Sequence, residues 1–137
     1  MSRTALAFAG VGMVAWGFWA VFAKFAARAL APEVAMVFSY LTGVTVAVVY
    51  LVSKGITPQL TTAGVGYAVA GGLFSGVGAI SYYAALRHGT AAIATTITAL
   101  YFVVAAIIGV VFLGESVSVR DVAGIALAIG AVVLFST

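Results

Sequence analysis

The sequence has no cysteine and very little charge, since only 7% of its 137 residues are Asp, Glu, Lys or Arg. The absence of cysteine excludes disulfides and thiolate metal sites, and it leaves the redox compartment open. Soluble domains carry about 25% charged residues. A charged fraction this low, beside 65% hydrophobic residues, excludes a soluble domain and predicts an integral membrane protein.

Acidic residues are half as frequent as Lys and Arg: the sequence has three Asp and Glu, six Lys and Arg, and one His. The sequence shows no nucleophile paired with a base, no cluster of metal ligands and no phosphate-binding loop. We therefore predict no enzyme activity and no cofactor or metal. The net charge of +3 comes from residues that flank apolar stretches, which favours anchoring in a lipid bilayer over nucleic-acid binding.

Five apolar stretches are long enough to cross a bilayer as helices. Long runs such as 99–113 do not alternate polar and apolar residues, which excludes a membrane barrel. The N-terminal run up to Ala29-Leu30-Ala31 superficially resembles a signal peptide, but it is far longer than a signal core and is interpreted as a span. The prediction is an all-α integral membrane protein with five transmembrane helices in a single domain, 1–137, with spans at about 4–27, 33–52, 62–86, 90–113 and 120–136.

The basic residues divide equally between the two predicted sides of the membrane, with Arg3, Lys54 and Arg120 on one side and Lys24, Arg28 and Arg87 on the other. Orientation normally follows an excess of Lys and Arg on one side. Three against three gives no preferred orientation. This balance predicts a chain of dual topology that pairs with an inverted copy of itself, as inverted repeats do within one-chain transporters.

Small residues recur at helical spacing in two spans, where they allow close helix packing in lipid. The third span has Ala68, Gly72 and Gly76, and the fifth has Gly124 and Ala128. Both patterns are typical of packing within a bundle. The alternative is that the stripe in the fifth span forms the contact between two protomers.

Several short motifs follow one another in a distinctive order. Trp16-Gly17 precedes Lys24 in the first span, Ser81 to Gly89 reads SYYAALRHG, and Leu113-Gly114-Glu115 ends the fourth span ahead of Gly124. This order resembles the EamA domain of the drug/metabolite transporter superfamily, in its single-domain, five-span branch. The resemblance implies half of a ten-helix inverted-repeat transporter in the cytoplasmic membrane, a carrier and often an exporter of amino-acid-like metabolites. It also implies that Gly17, Gly114, Glu115 and Gly124 are structural motif residues.

Polar and aromatic residues within the spans are the candidates for binding a solute. Ser75 and Tyr82 lie seven residues apart on one helical face, and Thr95 and Thr98 lie three apart on the next helix. As a set the candidates fit a neutral or zwitterionic solute, and the alternative for each is a hydrogen bond between helices or plain packing. The predicted substrate-binding residues are Trp16, Trp19, Lys24, Ser39, Tyr40, Ser75, Tyr82, Thr95, Thr98 and Tyr101.

The charged residues lie near predicted span ends. Lys24 either snorkels to the interface as an anchor or faces the mouth of a cavity, where it would hold a carboxylate or phosphate of the solute. Glu33 is expected to stabilise the first turn of the second helix. Glu115 is expected to fix its loop or pair with Arg120. None of Glu33, Glu115 and Asp121 is placed to act as a buried proton carrier. His88 is interpreted as an interfacial residue.

Together these observations predict an antiparallel homodimer that moves a small organic solute by alternating access. The alternative is a non-transporting membrane subunit, or a half-transporter that needs a paralogous partner.

Overall fold

The computed structural model describes residues 2–136, which form six helices and no strand. The helices are α1 (Arg3–Ala29), α2 (Pro32–Ser53), α3 (Thr62–His88), α4 (Ala91–Ala99), α5 (Tyr101–Leu113) and α6 (Val119–Ser136).

Most of these helices begin at a hydroxyl residue that caps the first turn. Such a side chain accepts a hydrogen bond from a backbone N–H that has no partner inside the helix. Helix α2 instead begins with Pro32, whose missing N–H costs nothing in the first turn. The capping residues are Ser2 for α1, Thr61 for α3, Thr90 for α4 and Ser118 for α6.

The start of α6 has a reciprocal cap. The Asp121 N–H donates to the Ser118 hydroxyl, while the Asp121 carboxylate accepts from the Ser118 N–H at 2.9 Å and from its hydroxyl at 2.6 Å. This is the arrangement of a capping box, with Asp in the usual place of Glu. It accounts for Ser118 and Asp121 in the polar stretch between α5 and α6.

Helix α5 ends at Gly114, which adopts a left-handed conformation with φ of 66°. The next residue, Glu115, donates its N–H to the Gly109 carbonyl at 3.1 Å, so the chain closes over the helix end. The Glu115 carboxylate also lies against Gly109, where a Cβ would collide with it. This geometry explains why glycine occupies both position 109 and position 114.

Replacing Gly114 by Ala is therefore expected to destabilise the protein by about 1 kcal/mol, because an L-residue is strained in the left-handed region. Gly130→Ala is the matched control, since a Cβ at Gly130 meets no atom within 4 Å and lies inside a helix. Denaturation midpoints of both variants in one detergent make the comparison. Equal midpoints for Gly114→Ala and the parent protein would contradict this account of the cap.

The fourth predicted span contains two helices instead of one. Helix α4 ends just before Leu100, and α5 begins just after it. The Leu100 N–H donates to the Ile97 carbonyl at 3.1 Å, and the Val103 N–H donates to the Leu100 carbonyl at 2.8 Å. These bonds span three residues, as in the tighter 3₁₀ turn. The turn divides the predicted span at 90–113 into two helices, and Ala91–Leu113 remains one segment that is long and apolar enough to cross a membrane.

Within residues 2–136, four helical segments are long and apolar enough to cross a membrane. They are Arg3–Ala29, Pro32–Ser53, Thr62–His88 and the combined segment Ala91–Leu113. Helix α6 is the fifth helical segment. It is shorter than α1, α2, α3 and the combined segment of α4 and α5.

The contacts divide the chain into two compact units, residues 1–88 and 89–137. In the first unit, α3 packs against both α1 and α2. The buried side chains lie in the second half of α1, the first turn of α2 and the second half of α3. These segments form one end of the unit. Helices α1 and α3 therefore run parallel and finish at this end, while α2 begins there and runs antiparallel to both. In the second unit, α4 contacts α6.

Candidate functional site

An aromatic cluster of three side chains joins α1 to α3 at the closely packed end of the first unit. The Trp19 ring stacks on Tyr82, with centroids 5.2 Å apart and planes at 19°. Tyr83 meets Trp19 edge-on at 5.9 Å and Tyr82 edge-on at 6.4 Å. Both are favoured arrangements of aromatic pairs, and each adds about 0.5–1.5 kcal/mol beyond the burial of area.

Helix spacing explains why these rings meet. Ala79, Tyr82, Tyr83 and Leu86 follow the spacing i, i+3, i+4 and i+7, so they share the face of α3 that is buried. The buried residues of α1 are all alanines, at positions 20, 23 and 27. Small side chains on one helix let the large rings of the other approach closely.

Hydrogen bonds between side chains tie α2 to each of its neighbours. The Trp19 indole N–H donates to the Ser39 hydroxyl at 2.9 Å, which joins α1 to α2. The Tyr40 and Ser75 hydroxyls lie 2.6 Å apart, and the Tyr40 hydroxyl also donates to the Ser75 carbonyl at 3.1 Å, which joins α2 to α3. Polar contacts of this kind between membrane helices contribute about 0.6 kcal/mol each.

Lys24 links α1 to the last turn of α3, because its ammonium donates to the carbonyl of Leu86. Leu86 is fully buried, and α3 ends two residues later at His88. The last four carbonyls of a helix have no partner within it, and they form the negative end of the helix dipole. The half-buried Lys24 thus stabilises the end of α3 as well as the contact between the two helices.

Six of the ten predicted substrate-binding residues take part in these contacts: Trp19, Lys24, Ser39, Tyr40, Ser75 and Tyr82. Trp16 lies on the same helix as Trp19, but 65% of its side chain is exposed. The remaining three belong to the second unit. Thr95 and Thr98 lie three apart on α4, and Tyr101 begins α5.

The sequence analysis did not select Tyr83, which is only 2% exposed and touches both other rings. The spacing of Ala79, Tyr82, Tyr83 and Leu86 carries the signal that would have found it. The backbone carbonyl of Leu86 was missed too, and side-chain patterns contain no sign of it.

The predicted motif glycines differ in their surroundings. A Cβ on Gly17 or Gly124 would meet no atom within 4 Å, so neither supports a close contact within the described part of the chain. Gly114 has its role in the left-handed helix end. Gly76, from the third-span stripe, lies close to Met36 of α2, whose terminal carbon would be 3.5 Å from an added Cβ.

Two shallow apolar grooves run along the surfaces of single helices. One lies on α1 between Ala7 and Ala15, and the other lies on α2 between Thr45 and Ser53. Neither groove includes a predicted substrate-binding residue. The chemistry of this unit is therefore concentrated in the aromatic cluster and its polar links.

A comparison with protein families matches residues 3–137 to the EamA-like transporter family. The chain belongs to this family. The match covers both units, and it confirms the resemblance seen in the sequence motifs. Comparisons with curated proteins and with solved structures give no significant match.

Membership of the EamA-like transporter family, together with the apolar helices, shows a multi-pass membrane protein built entirely of helices among its described residues. The predicted fold class is confirmed. The family also indicates a membrane transporter of the drug/metabolite type, whose members are transporters and not enzymes.

Proposed function

We propose that this EamA-like chain is a secondary carrier that moves a small, amino-acid-like organic solute across the cytoplasmic membrane by alternating access. Two copies of opposite orientation form the carrier, each supplying one half. Export is the direction that the family resemblance favours.

The observation that carries this proposal is the equal division of basic residues between the two sides of the membrane. The five spans predicted from the sequence place the termini on opposite sides of the membrane. Two copies of the chain then provide inverted halves only if both orientations occur. A balance of three against three allows both orientations. Single-chain carriers obtain the same inversion by repeating a domain, with the solute site between the repeats.

The packing of the first unit supports a conformational carrier. Its aromatic contacts and the Lys24 link lie toward the end where α1 and α3 finish and α2 begins, while the Tyr40–Ser75 hydrogen bond lies at mid-length of α3. Among the described residues, none in the first halves of α1 and α3 or in the second half of α2 is buried. A unit that is tightly joined at one end and loosely packed at the other is suited to rocking motions of its helices.

The alternative, a half-transporter that pairs with a paralogue or a subunit without transport activity, predicts a different result from the purified protein. We expect saturable solute flux in lipid vesicles that contain this chain alone. An inverted homodimer without saturable flux for any small metabolite tested would favour the subunit. Flux that appears only after addition of a related chain would favour the paralogous pair.

A further inference from the structure

The fourth span consists of two helices joined by a turn near the middle of the bilayer. Ala91–Leu113 has 23 residues, so it is about 34 Å long as a helix, close to the thickness of the hydrocarbon core. Leu100 lies about 14 Å from its start. The hydrogen bonds at Leu100 span three residues instead of four, so the regular ladder of the helix is interrupted there. A short 3₁₀ turn inside a helix often marks a hinge.

The residues around this turn do not make the bend permanent. A proline kink is fixed, because the ring lacks an N–H and collides with the preceding turn of the helix. No proline or glycine lies between Ala91 and Ile108, so every residue there has the N–H and the side chain that a straight helix uses. The same sequence can therefore close the turn into one continuous helix.

The side chains beside the turn lower the free energy needed to open it. Eight of the ten residues in 95–104 are β-branched or aromatic. Such residues lose side-chain freedom in a helix, and they form helices less readily than Leu or Ala. This composition brings the bent and straight forms of the span closer together in free energy.

The two halves of the span are held differently within the second unit. Helix α4 contacts α6, and its Ala94 is buried. Gly109 is the only buried residue of the described helix α5, and the side chain beside it is Glu115, which follows the same helix. Packing against another helix therefore restrains α4 more than α5. A bend at Leu100 moves α5 while α4 keeps its contacts.

We propose that Leu100 is the hinge of the fourth span, at which α5 changes its angle to α4 as the carrier alternates between its two access states. The role in transport rests on the proposed carrier function, whereas the bending is a property of the span itself. A span that bends at mid-depth changes the opening at one face of the membrane without moving the half beyond the hinge.

Two spin labels measure the bend directly, because the parent sequence has no cysteine. Ala92→Cys with Phe112→Cys places one label at an exposed position of each half. The labelled chain is mixed with an excess of unlabelled chain in lipid nanodiscs, so that pulsed electron paramagnetic resonance reports distances within one copy. We expect a distance distribution that has two peaks or is at least about twice as wide as that of an unbroken helix.

The control pair is Ala5→Cys with Phe25→Cys in α1, which is one uninterrupted helix. Both pairs lie 20 residues apart at exposed positions, so their labels have the same angular relation around a helix axis. A single distance in the fourth span, as narrowly distributed as that of the control pair, would overturn the proposal. It would show either a straight span or a fixed kink.

Substitutions that favour a continuous helix are expected to close the hinge. Ile97→Leu, Val103→Leu and Val104→Leu together replace β-branched residues beside the turn by a better helix former, and they keep the span apolar. We expect this triple variant to narrow the distribution to about the width of the control pair and to lower flux in vesicles at least about threefold.

The matched control makes the same three kinds of change within α5, away from the turn: Ile108→Leu, Val110→Leu and Val111→Leu. We expect it to keep the distance distribution and the flux of the parent protein. Equal distributions for the two triple variants would refute a hinge at Leu100. If the variant at the turn does not fold, the comparison of the two label pairs in the parent sequence decides.

Distances and flux together separate the hinge from the carrier function. Two distances in the fourth span without saturable flux of any solute would support the bending and contradict the carrier. A narrowed distribution with undiminished flux in the variant at the turn would refute the role of the hinge in transport and leave the carrier intact.

Discussion

Two extra lysines in the loop between α2 and α3 are expected to abolish transport when the altered chain is expressed alone. Thr57→Lys with Gln59→Lys changes the balance of basic residues from three against three to five against three. The chain then inserts in one orientation, and no inverted partner is present. We expect flux in vesicles from these cells to fall below about a tenth of that of the parent protein.

Co-expression with a second variant of the opposite charge bias should restore transport. Ala29→Lys with Ala31→Lys adds two charges at exposed positions, one in the last turn of α1 and one in the connection to α2, on the other predicted side. Co-expression of the two variants supplies both orientations, so we expect at least about half of the parental flux to return. Thr57→Gln with Gln59→Asn is the neutral control for the loop. Full transport by either lysine variant alone, or no recovery in the mixture, would contradict the inverted pair.

Truncation of Trp19 is expected to have the second largest effect. Its side chain stacks on Tyr82, meets Tyr83 edge-on and donates a hydrogen bond to Ser39, so Trp19→Ala removes contacts to both neighbouring helices. Large-to-small changes of this kind cost about 3 kcal/mol in close-packed sites. In lipid vesicles at a temperature where the variant stays folded, we expect its flux to be at least about tenfold lower than that of the parent protein. The reason is that the variant no longer offers the solute the Trp19 ring.

Phe18→Ala is the matched control for this experiment, since Phe18 is the preceding residue and 65% of its side chain is exposed. Both variants are compared by flux in vesicles and by unfolding in mixed micelles. Ser39→Ala separates the hydrogen bond from the ring contacts, and it is expected to cost only about 0.6 kcal/mol. If Phe18→Ala and Trp19→Ala lost flux and stability equally, the cluster would have no special role.

The residues that mark helix starts made much of the fold predictable. Pro32 begins α2, and Thr90 and Ser118 cap α4 and α6 close to the predicted positions. The family was predictable as well, because its motifs are short and ordered along the chain, and the family match covers residues 3–137. Glu33 lies in the first turn of α2, where the sequence analysis placed it.

The break at Leu100 was not predictable from local signals. No Gly or Pro lies between Ala91 and Ile108, and these are the residues that usually announce an interruption. The reversal at Gly114 was easier to anticipate, because glycine is the residue that best tolerates a positive φ.

The sequence predicted which residues belong to the candidate site, but it did not predict which of them contact one another. Polar residues in apolar helices draw attention because they are costly in lipid, and this led to Ser39, Tyr40 and Ser75. Which of them pair depends on the rotation and depth of three helices, and spacing within one helix does not contain that information. For the same reason the sequence offered two positions for Lys24, the interface or a cavity mouth, whereas its ammonium bonds to a backbone carbonyl.

An inverted homodimer requires that the chain occur in both orientations, and a single cysteine can report the orientation of each copy. The parent sequence has no cysteine, so Thr57→Cys in the exposed loop after α2 is the only thiol. Intact cells are treated with a thiol reagent that does not cross the membrane, and the labelled fraction is compared with that after lysis. We expect about half of the accessible protein to be labelled in intact cells. Labelling that is nearly absent or nearly complete would show a single orientation and contradict the inverted homodimer.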